Sequence, residues 1–292
     1  MNGPVRATLP DGRLHLQHGP IDLVVEAWGE RSEVERAYAQ AWERFQDILE
    51  TLVAELPTLR SPVREAYPLA RGPVAKRMVA AVWPHRKVFV TPMAAVAGSV
   101  ADEMLEAMLA GRRIAKAYVN DGGDIALHLT AGEVLDLGVV NRVERPELSA
   151  IARIEFASPV RGVATSGWRG RSQSLGIADA ATVLAPNAAA DDAAATLIAN
   201  AVDIDHPSIR RMPARAVKED SDLGDLPVTV GVGELPRACI EQALDAGCMA
   251  AHALRRAGLI HAAYLALQGQ VRIAAPPESA RSVRQQTAGR FR

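Results

Sequence analysis

Three short stretches of this chain carry the residue types best able to do chemistry. The first is Tyr118-Val119-Asn120-Asp121-Gly122-Gly123-Asp124. A strand-like run meets two adjacent glycines flanked by Asn and Asp. Such a corner lets backbone N–H groups approach a phosphate or a flat ring closely; the plainer reading is a hairpin turn. The second is Val163-Ala164-Thr165-Ser166-Gly167-Trp168-Arg169-Gly170-Arg171-Ser172. Its hydroxyls and two arginines suit an anionic or phosphorylated ligand, or an ordinary solvated loop. The third is Asp191-Asp192-Ala193-Ala194-Ala195-Thr196. On a helix, Asp192 and Thr196 share a face. A carboxylate and a hydroxyl are hard oxygen ligands for Mg²⁺, with phosphates completing the shell; the alternative is helix capping by first-turn aspartates.

These stretches need elements to position them. Ile21, Leu23 and Val25 alternate with Asp22 and Val24, as in a half-buried strand after the His18-Gly19-Pro20 turn. From Ser32 to Leu56 the apolar spacing predicts one helix, opened by a Ser32/Glu35 capping box and stopped at Pro57. Residues 57–74 read as irregular, and Val88-Phe89-Val90 as a short strand. Thr91-Pro92 opens a helix over 93–110 whose first half is crowded with small residues, including Ala97, Gly98 and Ala101. That face permits close approach of another helix or a ligand. Residues 114–157 and 161–165 read as strands, ATVLAP at 181–186 as a strand leading into a helix over 188–202, and 227–232 as a strand. Residues 203–225 are polar and aperiodic, a long excursion. A helix over 236–257, interrupted near Gly247, and a hairpin around Gly269 follow. Residues 276–292 are basic and polar and are expected to form a flexible tail.

Composition narrows the function classes. The 292 residues include 33 Lys+Arg and 34 Asp+Glu, a formal net charge of −1, with 4% aromatics. Nucleic-acid binding by a basic excess or by base-stacking platforms is therefore not expected. Two cysteines, Cys239 and Cys248, exclude a disulfide scaffold and a multi-cysteine zinc site. No secretory signal and no apolar run of membrane-spanning length is read from the sequence, so the expected location is cytoplasmic, without a membrane partner. The P-loop, zincin, nucleophile-elbow and dinucleotide-binding signatures are missing.

Taken together and in order, the segments resemble the ApbE superfamily, the FAD:protein FMN transferases. That family carries a G-x-x-x-K-G-Y-x-x-D helix, an N-x-G-G-D turn, a T-S-G strand and an A-D-x-x-A-T helix start. The corresponding stretches here are Met93 to Asp102, Asn120 to Asp124, Thr165 to Gly167 and Asp191 to Thr196. With the HGPID start, SLGIADAATV and SDLGD, the chain looks closer still to an uncharacterised ApbE-like branch over residues 12–275. The resemblance implies an α+β fold of the ApbE-like T-fold type, with mixed or antiparallel sheets and packed helices, as a single domain over 1–275.

It also implies sites. Asn120, Gly122, Gly123 and Asp124, with Thr165, Ser166 and Gly167, would contact a flavin, FAD or FMN. Asp192 and Thr196 would hold Mg²⁺, helped by a backbone carbonyl around Ala94 to Val96. Two departures bear on the reaction. Ala97 stands where the transferases have Lys, and the H-I-x-x-P-x-x-G element is replaced by residues 170–179. Three readings follow: a binder of a flavin or related phosphorylated heterocycle; a Mg²⁺-dependent transferase moving FMN from FAD to a Ser or Thr of a target protein; and a non-catalytic interaction protein on the same scaffold. The expected partners are a small-molecule cofactor, a target protein in the transfer reading, and a second copy of the chain.

Overall fold

The computed structural model describes residues 3–140, 148–276 and 283–285. It is an α+β structure of antiparallel sheets and packed helices, the fold class expected from the sequence. The chain divides into two compact units. The first comprises Met1–Glu133, Pro159–Ala164 and Ala185–Ala193; the second comprises Val134–Ser158, Thr165–Leu184 and Ala194–Arg292.

In the first unit, β1 (Val5–Thr8), β2 (Leu14–His18), β3 (Ile21–Gly29), β4 (Ile114–Asp121) and β5 (Asp124–Leu129) form an antiparallel meander. Ile125 and Ala126 of β5 pair in turn with Val163 and Gly162 of β8 (Gly162–Ser166). Ile21, Leu23 and Val25 are buried and Asp22 and Val24 are not, so the period-two pattern sets one face of β3 against the core. That face packs under α1 (Arg31–Phe45), α2 (Ile48–Ala54), α4 (Pro73–Val82) and α5 (Val96–Leu109), around Phe45, Ile48, Met78, Met104 and Met108. The nearly buried Glu103 carboxylate of α5 accepts from Arg44 of α1 at 2.8 Å and Arg77 of α4 at 3.0 Å. Two guanidinium partners keep that charge satisfied away from bulk water.

Sequence periodicity was imperfect in this unit. The single helix expected over 32–56 is two, α1 and α2, and Pro57, expected to stop it, sits instead in the first turn of the one-turn α3 (Leu56–Leu59). Glu30, not Ser32, is the N-cap of α1, and it has no side-chain capping bond; the Ser32 hydroxyl donates to Glu30 instead. The helix α4 begins within the region read as irregular, with Pro73 at its first turn, and Val88-Phe89-Val90 forms no strand.

In the second unit, β9 (Ala180–Ala185), β12 (Ala262–Leu267) and β13 (Gln270–Ala274) are antiparallel, and α8 (Arg237–Arg256) packs on β12 and β13. A second sheet has the order β14 (Val283–Gln285), β7 (Leu148–Glu155), β6 (Val134–Val140). The aperiodic stretch 203–225 holds β10 (Ile209–Pro213), paired with β11 (Pro227–Val232), and the one-turn α7 (Ala214–Val217). The helix α8 runs unbroken through Gly247, where a Cβ would stand 2.3 Å from Val202 Cγ2 and 2.9 Å from Leu265 Cδ2. The glycine is there for close packing rather than to interrupt the helix. Of the tail expected over 276–292, residues 277–282 and 286–292 lie outside the described residues. Among the described residues, no helix is long and apolar enough to cross a membrane.

Candidate functional site

The glycine corner is a tight hairpin. Asp121 pairs with Asp124 across Gly122 and Gly123, whose φ values are +64° and +117°. Both positions lie in the left-handed region that glycine enters without a Cβ penalty. The Gly123 N–H donates to Asn120 Oδ1 at 2.8 Å, so the asparagine closes the turn. The turn reading of this motif therefore holds locally. It also has a consequence for charge, because it sets Asp121 and Asp124 side by side at the end of the hairpin.

The acidic helix start is the more informative segment. The first three N–H groups of the helix α6 (Ala188–Ala201) find their acceptors outside its own aspartates. Asn187 Oδ1 accepts from the Ala190 N–H at 2.9 Å. Asp102, on α5, accepts from the Ala188 N–H at 3.0 Å and the Ala189 N–H at 2.9 Å. In return, Asp192 of α6 accepts from the Gly98 N–H in the first turn of α5 at 3.0 Å. Each helix thus supplies the carboxylate that caps the other, and each carboxylate lies four residues beyond the N–H group that its own helix has capped. Free N–H groups and the positive end of the dipole favour a carboxylate there.

Close backbone approach makes this exchange feasible. A Cβ on Gly98 would sit 2.0 Å from the Ala188 carbonyl oxygen. A Cβ on Gly162 would sit 2.1 Å from Asp191 Oδ2 and 2.3 Å from the Asn187 carbonyl carbon. The small-residue face of α5 therefore serves contact with the start of α6. Asp102→Ala would strand the Ala188 and Ala189 donors, and a lost cap with buried unpaired N–H groups costs about 2 kcal/mol. Urea unfolding followed by tryptophan fluorescence should read that loss.

One carboxylate in this cluster has no such employment. Asp191 is fully buried, and neither of its oxygens has a hydrogen-bond partner. Burial first, then repulsion from Asp124, Asp192 and Asp102, pushes its carboxyl well above the usual aspartate range, and the neighbouring Asp192 N–H, outside hydrogen-bond geometry, offsets this only slightly. Asp192 is pushed well up by burial and by Asp124 and Asp121, against the Gly98 and Ala97 N–H groups, which favour its charged form. Asp102 is raised by burial and partly held down by the Ala189 and Ala188 N–H groups. Hard carboxylate oxygens and an unpaired buried carboxyl are the donor chemistry that suits a divalent cation. Among the described residues, no group of three or more His, Cys, Asp or Glu side chains is arranged as a metal cage.

The other expected site residues divide between the units. Asn120, Gly122, Gly123, Asp124 and Asp192 lie in the first, and Thr165, Ser166, Gly167 and Thr196 in the second. Thr196 lies one turn beyond Asp192 on α6 and is partly buried. In the second unit, the Thr165 hydroxyl is 2.8 Å from the Thr182 hydroxyl. A Cβ on Gly167 would meet the Asp179 carbonyl oxygen at 2.5 Å, so that glycine permits close backbone approach just beyond β8 and just before β9. Arg169, which the sequence offered either to an anionic ligand or to an ordinary solvated loop, lies over the Trp168 ring at 4.2 Å and donates to Asp179 Oδ1 at 3.2 Å. The sequence reading missed the cross-capping by Asp102, a contact between segments about ninety residues apart for which local spacing gives no signal.

Comparisons with known proteins bear on this arrangement. The family described as "AbpE bacteria" matches residues 6–273, and the chain belongs to it. A UPF0280 protein of Methanopyrus kandleri is 34% identical over 209 residues, covering 70% of this chain and 80% of that one. UPF0280 proteins of Methanocaldococcus jannaschii and Methanothrix thermoacetophila are 38% and 39% identical, over 38% and 46% of this chain. Those two alignments span 45% and 54%, about half, of the relatives' own length. Among solved structures, the flavin transferase ApbE of Vibrio cholerae aligns with 11% identity and a TM-score of 0.43, covering 95% of this chain and 98% of that one. The ApbE protein of Thermotoga maritima aligns with 12% identity and a TM-score of 0.42, covering 97% and 99%.

Proposed function

We propose that this protein binds a flavin or a related phosphorylated heterocyclic cofactor together with a divalent cation. The observation that carries the reading is the buried, unpartnered Asp191 carboxylate beside Asp102, Asp124 and Asp192. A carboxylate cluster of this kind is costly unless a cation or protons neutralise it. Membership of the ApbE-like family and the ordered motif resemblance add support.

In this reading Asp192 and Thr196, one turn apart on α6, are the Mg²⁺ ligands. Asp191 adds negative charge beside them, in a position where the transferase motif has Ala. Mg²⁺ keeps much of its shell for phosphate oxygens and water, so a few protein ligands suffice. When bound, the cation would supply charge neutralisation to a pyrophosphate. Asn120, Gly122, Gly123, Asp124, Thr165, Ser166 and Gly167 keep the proposed role of cofactor contacts on the strength of the motif match.

Flavinyl transfer is the second reading, favoured by the retained Asp192/Thr196 pair and weakened by Ala97 and the replaced 170–179 element. There a Ser or Thr hydroxyl of a target protein would attack the FMN phosphorus of FAD and AMP would leave. The test is to incubate the purified chain with FAD, Mg²⁺ and a Ser/Thr target peptide, recording retained yellow chromophore and released AMP. Chromophore without AMP, lost in Asp192→Ala, supports the binder. AMP release supports the transferase. Neither, at millimolar FAD and Mg²⁺, leaves an interaction protein and overturns both.

A further inference from the structure

A second polar feature of the first unit lies outside the carboxylate cluster. The Val63 N–H donates to the Val90 carbonyl at 2.9 Å, and the Val88 N–H donates to the His85 carbonyl at 3.0 Å. Val63, His85 and Val90 are buried, so the core anchors this frame. It brings residues 64–66 beside the turn at 86–87. Between them lies an open hollow of about 630 Å³ lined by Arg64, Glu65, Ala66, Arg86 and Lys87.

Three cations face one carboxylate there. Four other arginines of the first unit show the contrast. Arg13 is paired with Asp11, Arg44 and Arg77 with Glu103, and Arg112 with Glu33. Among the described residues, Arg64 and Lys87 have no carboxylate partner. Arg86 is held in place without one. Its guanidinium lies 4.4 Å over the Trp83 ring, its Nη1 donates to the Trp83 carbonyl at 3.0 Å, and Tyr67 braces that ring edge-on at 5.0 Å. A guanidinium already ordered loses less freedom on meeting an anion, and a concave basic surface concentrates the field.

We propose that this hollow is a binding site for the phosphate groups of a small molecule, a phosphomonoester or a diphosphate. Arg64 and Arg86 present planar forks to the phosphate oxygens, and Lys87 adds a point charge. The proposal does not rest on the flavin reading, since it uses none of those residues.

The experiment is isothermal titration of the full chain with inorganic pyrophosphate. EDTA is present, so that no divalent cation bridges the anion to the aspartates. Saturable binding is expected, about tenfold weaker in an Arg64→Ser/Lys87→Ser double variant, as for loss of charge-assisted bonds. It should be unchanged in Arg31→Ser, an arginine exposed elsewhere on the same unit. Near-UV circular dichroism confirms that each variant is folded. No saturation with the parent chain, equal affinity in the double variant, or an equal loss in Arg31→Ser would each overturn the proposal.

Discussion

Replacing Gly98 by alanine is expected to destabilise the first unit by about 3 kcal/mol, the upper part of the range for overpacked sites. Propensity alone argues for the reverse. Gly98 is helical, and alanine is favoured over glycine by about 1 kcal/mol in a helix interior. Sterics decide the sign, because the added methyl would stand 2.0 Å from the Ala188 carbonyl oxygen and 2.5 Å from its carbon. Those are backbone atoms at the start of α6, and no rotamer change can clear them. Moving α6 away would stretch the Gly98–Asp192 bond and both Asp102 bonds at once. Gly162→Ala should behave alike, meeting Asp191 Oδ2 and the Asn187 backbone.

Gly132→Ala is the control. Its φ is +88° with nothing within 4 Å of the added methyl, so only backbone strain of about 1–2 kcal/mol is added. Three of the four tryptophans, Trp28, Trp42 and Trp83, lie in the first unit. Their fluorescence during thermal unfolding should show a midpoint roughly 6–10 °C lower for Gly98→Ala. A midpoint equal to the parent's would mean that the two helix starts do not touch as described.

The helices and strands with strong period were readable from the sequence, and what escaped was set by contacts between distant segments. Ile21, Leu23 and Val25 announce β3 because every second residue is apolar. The α6 start was legible because ATVLAP ends in Pro186, followed by Asn187 and a run of alanines. The break between α1 and α2 was not, since Phe45 and Ile48 continue the apolar spacing across it. The capping box failed for a different reason. Ser32 and Glu35 fit the local rule, yet the helix starts two residues earlier, with Glu30 as its N-cap, and Glu35 takes Arg31 instead. The sequence also offered two roles for Asp192, own-helix cap or metal ligand. It could not show a third, that Asp192 caps α5, a helix starting about ninety residues earlier, because spacing along a chain carries no information about which helix end lies opposite. Gly98 and Gly162 had no local reason to be glycine; the reason lies across the contact.

The second large effect concerns pH and divalent cations, and its sign follows from Asp191. Its folded-state carboxyl titrates well above the ordinary aspartate value, so the folded chain holds this proton more tightly than the unfolded one. The stability this gives is complete below about pH 3.9 and is lost as pH rises from there through the folded value, at about 1.4 kcal/mol per unit. His85 and His261 act oppositely. Burial lowers both, so their contribution is present above about pH 6.5 and lost as pH falls. Glu33, held down first by the Arg113 N–H, has the same sense as the histidines, but its window lies below the ordinary glutamate value. A parent-minus-variant comparison with Asp191→Asn removes these shared contributions.

In EDTA the melting temperature of the parent should fall, relative to Asp191→Asn, as pH is raised from 5.5 to 8.5, because the parent must bury one charge more than the variant beside Asp124, Asp192 and Asp102. Adding Mg²⁺ at pH 8 to about a hundred times its dissociation constant should return about 2.7 kcal/mol to the parent. The variant should gain less, since the cation then compensates a smaller charge. Asparagine brings an amide that the site does not hydrogen-bond, a fixed cost that lowers the variant's curve without changing its slope. The slope is therefore the quantity to compare. Parallel pH curves for the two proteins in EDTA, together with equal Mg²⁺ gains, would show that Asp191 takes no part in cation binding and would remove the observation on which the cofactor reading stands.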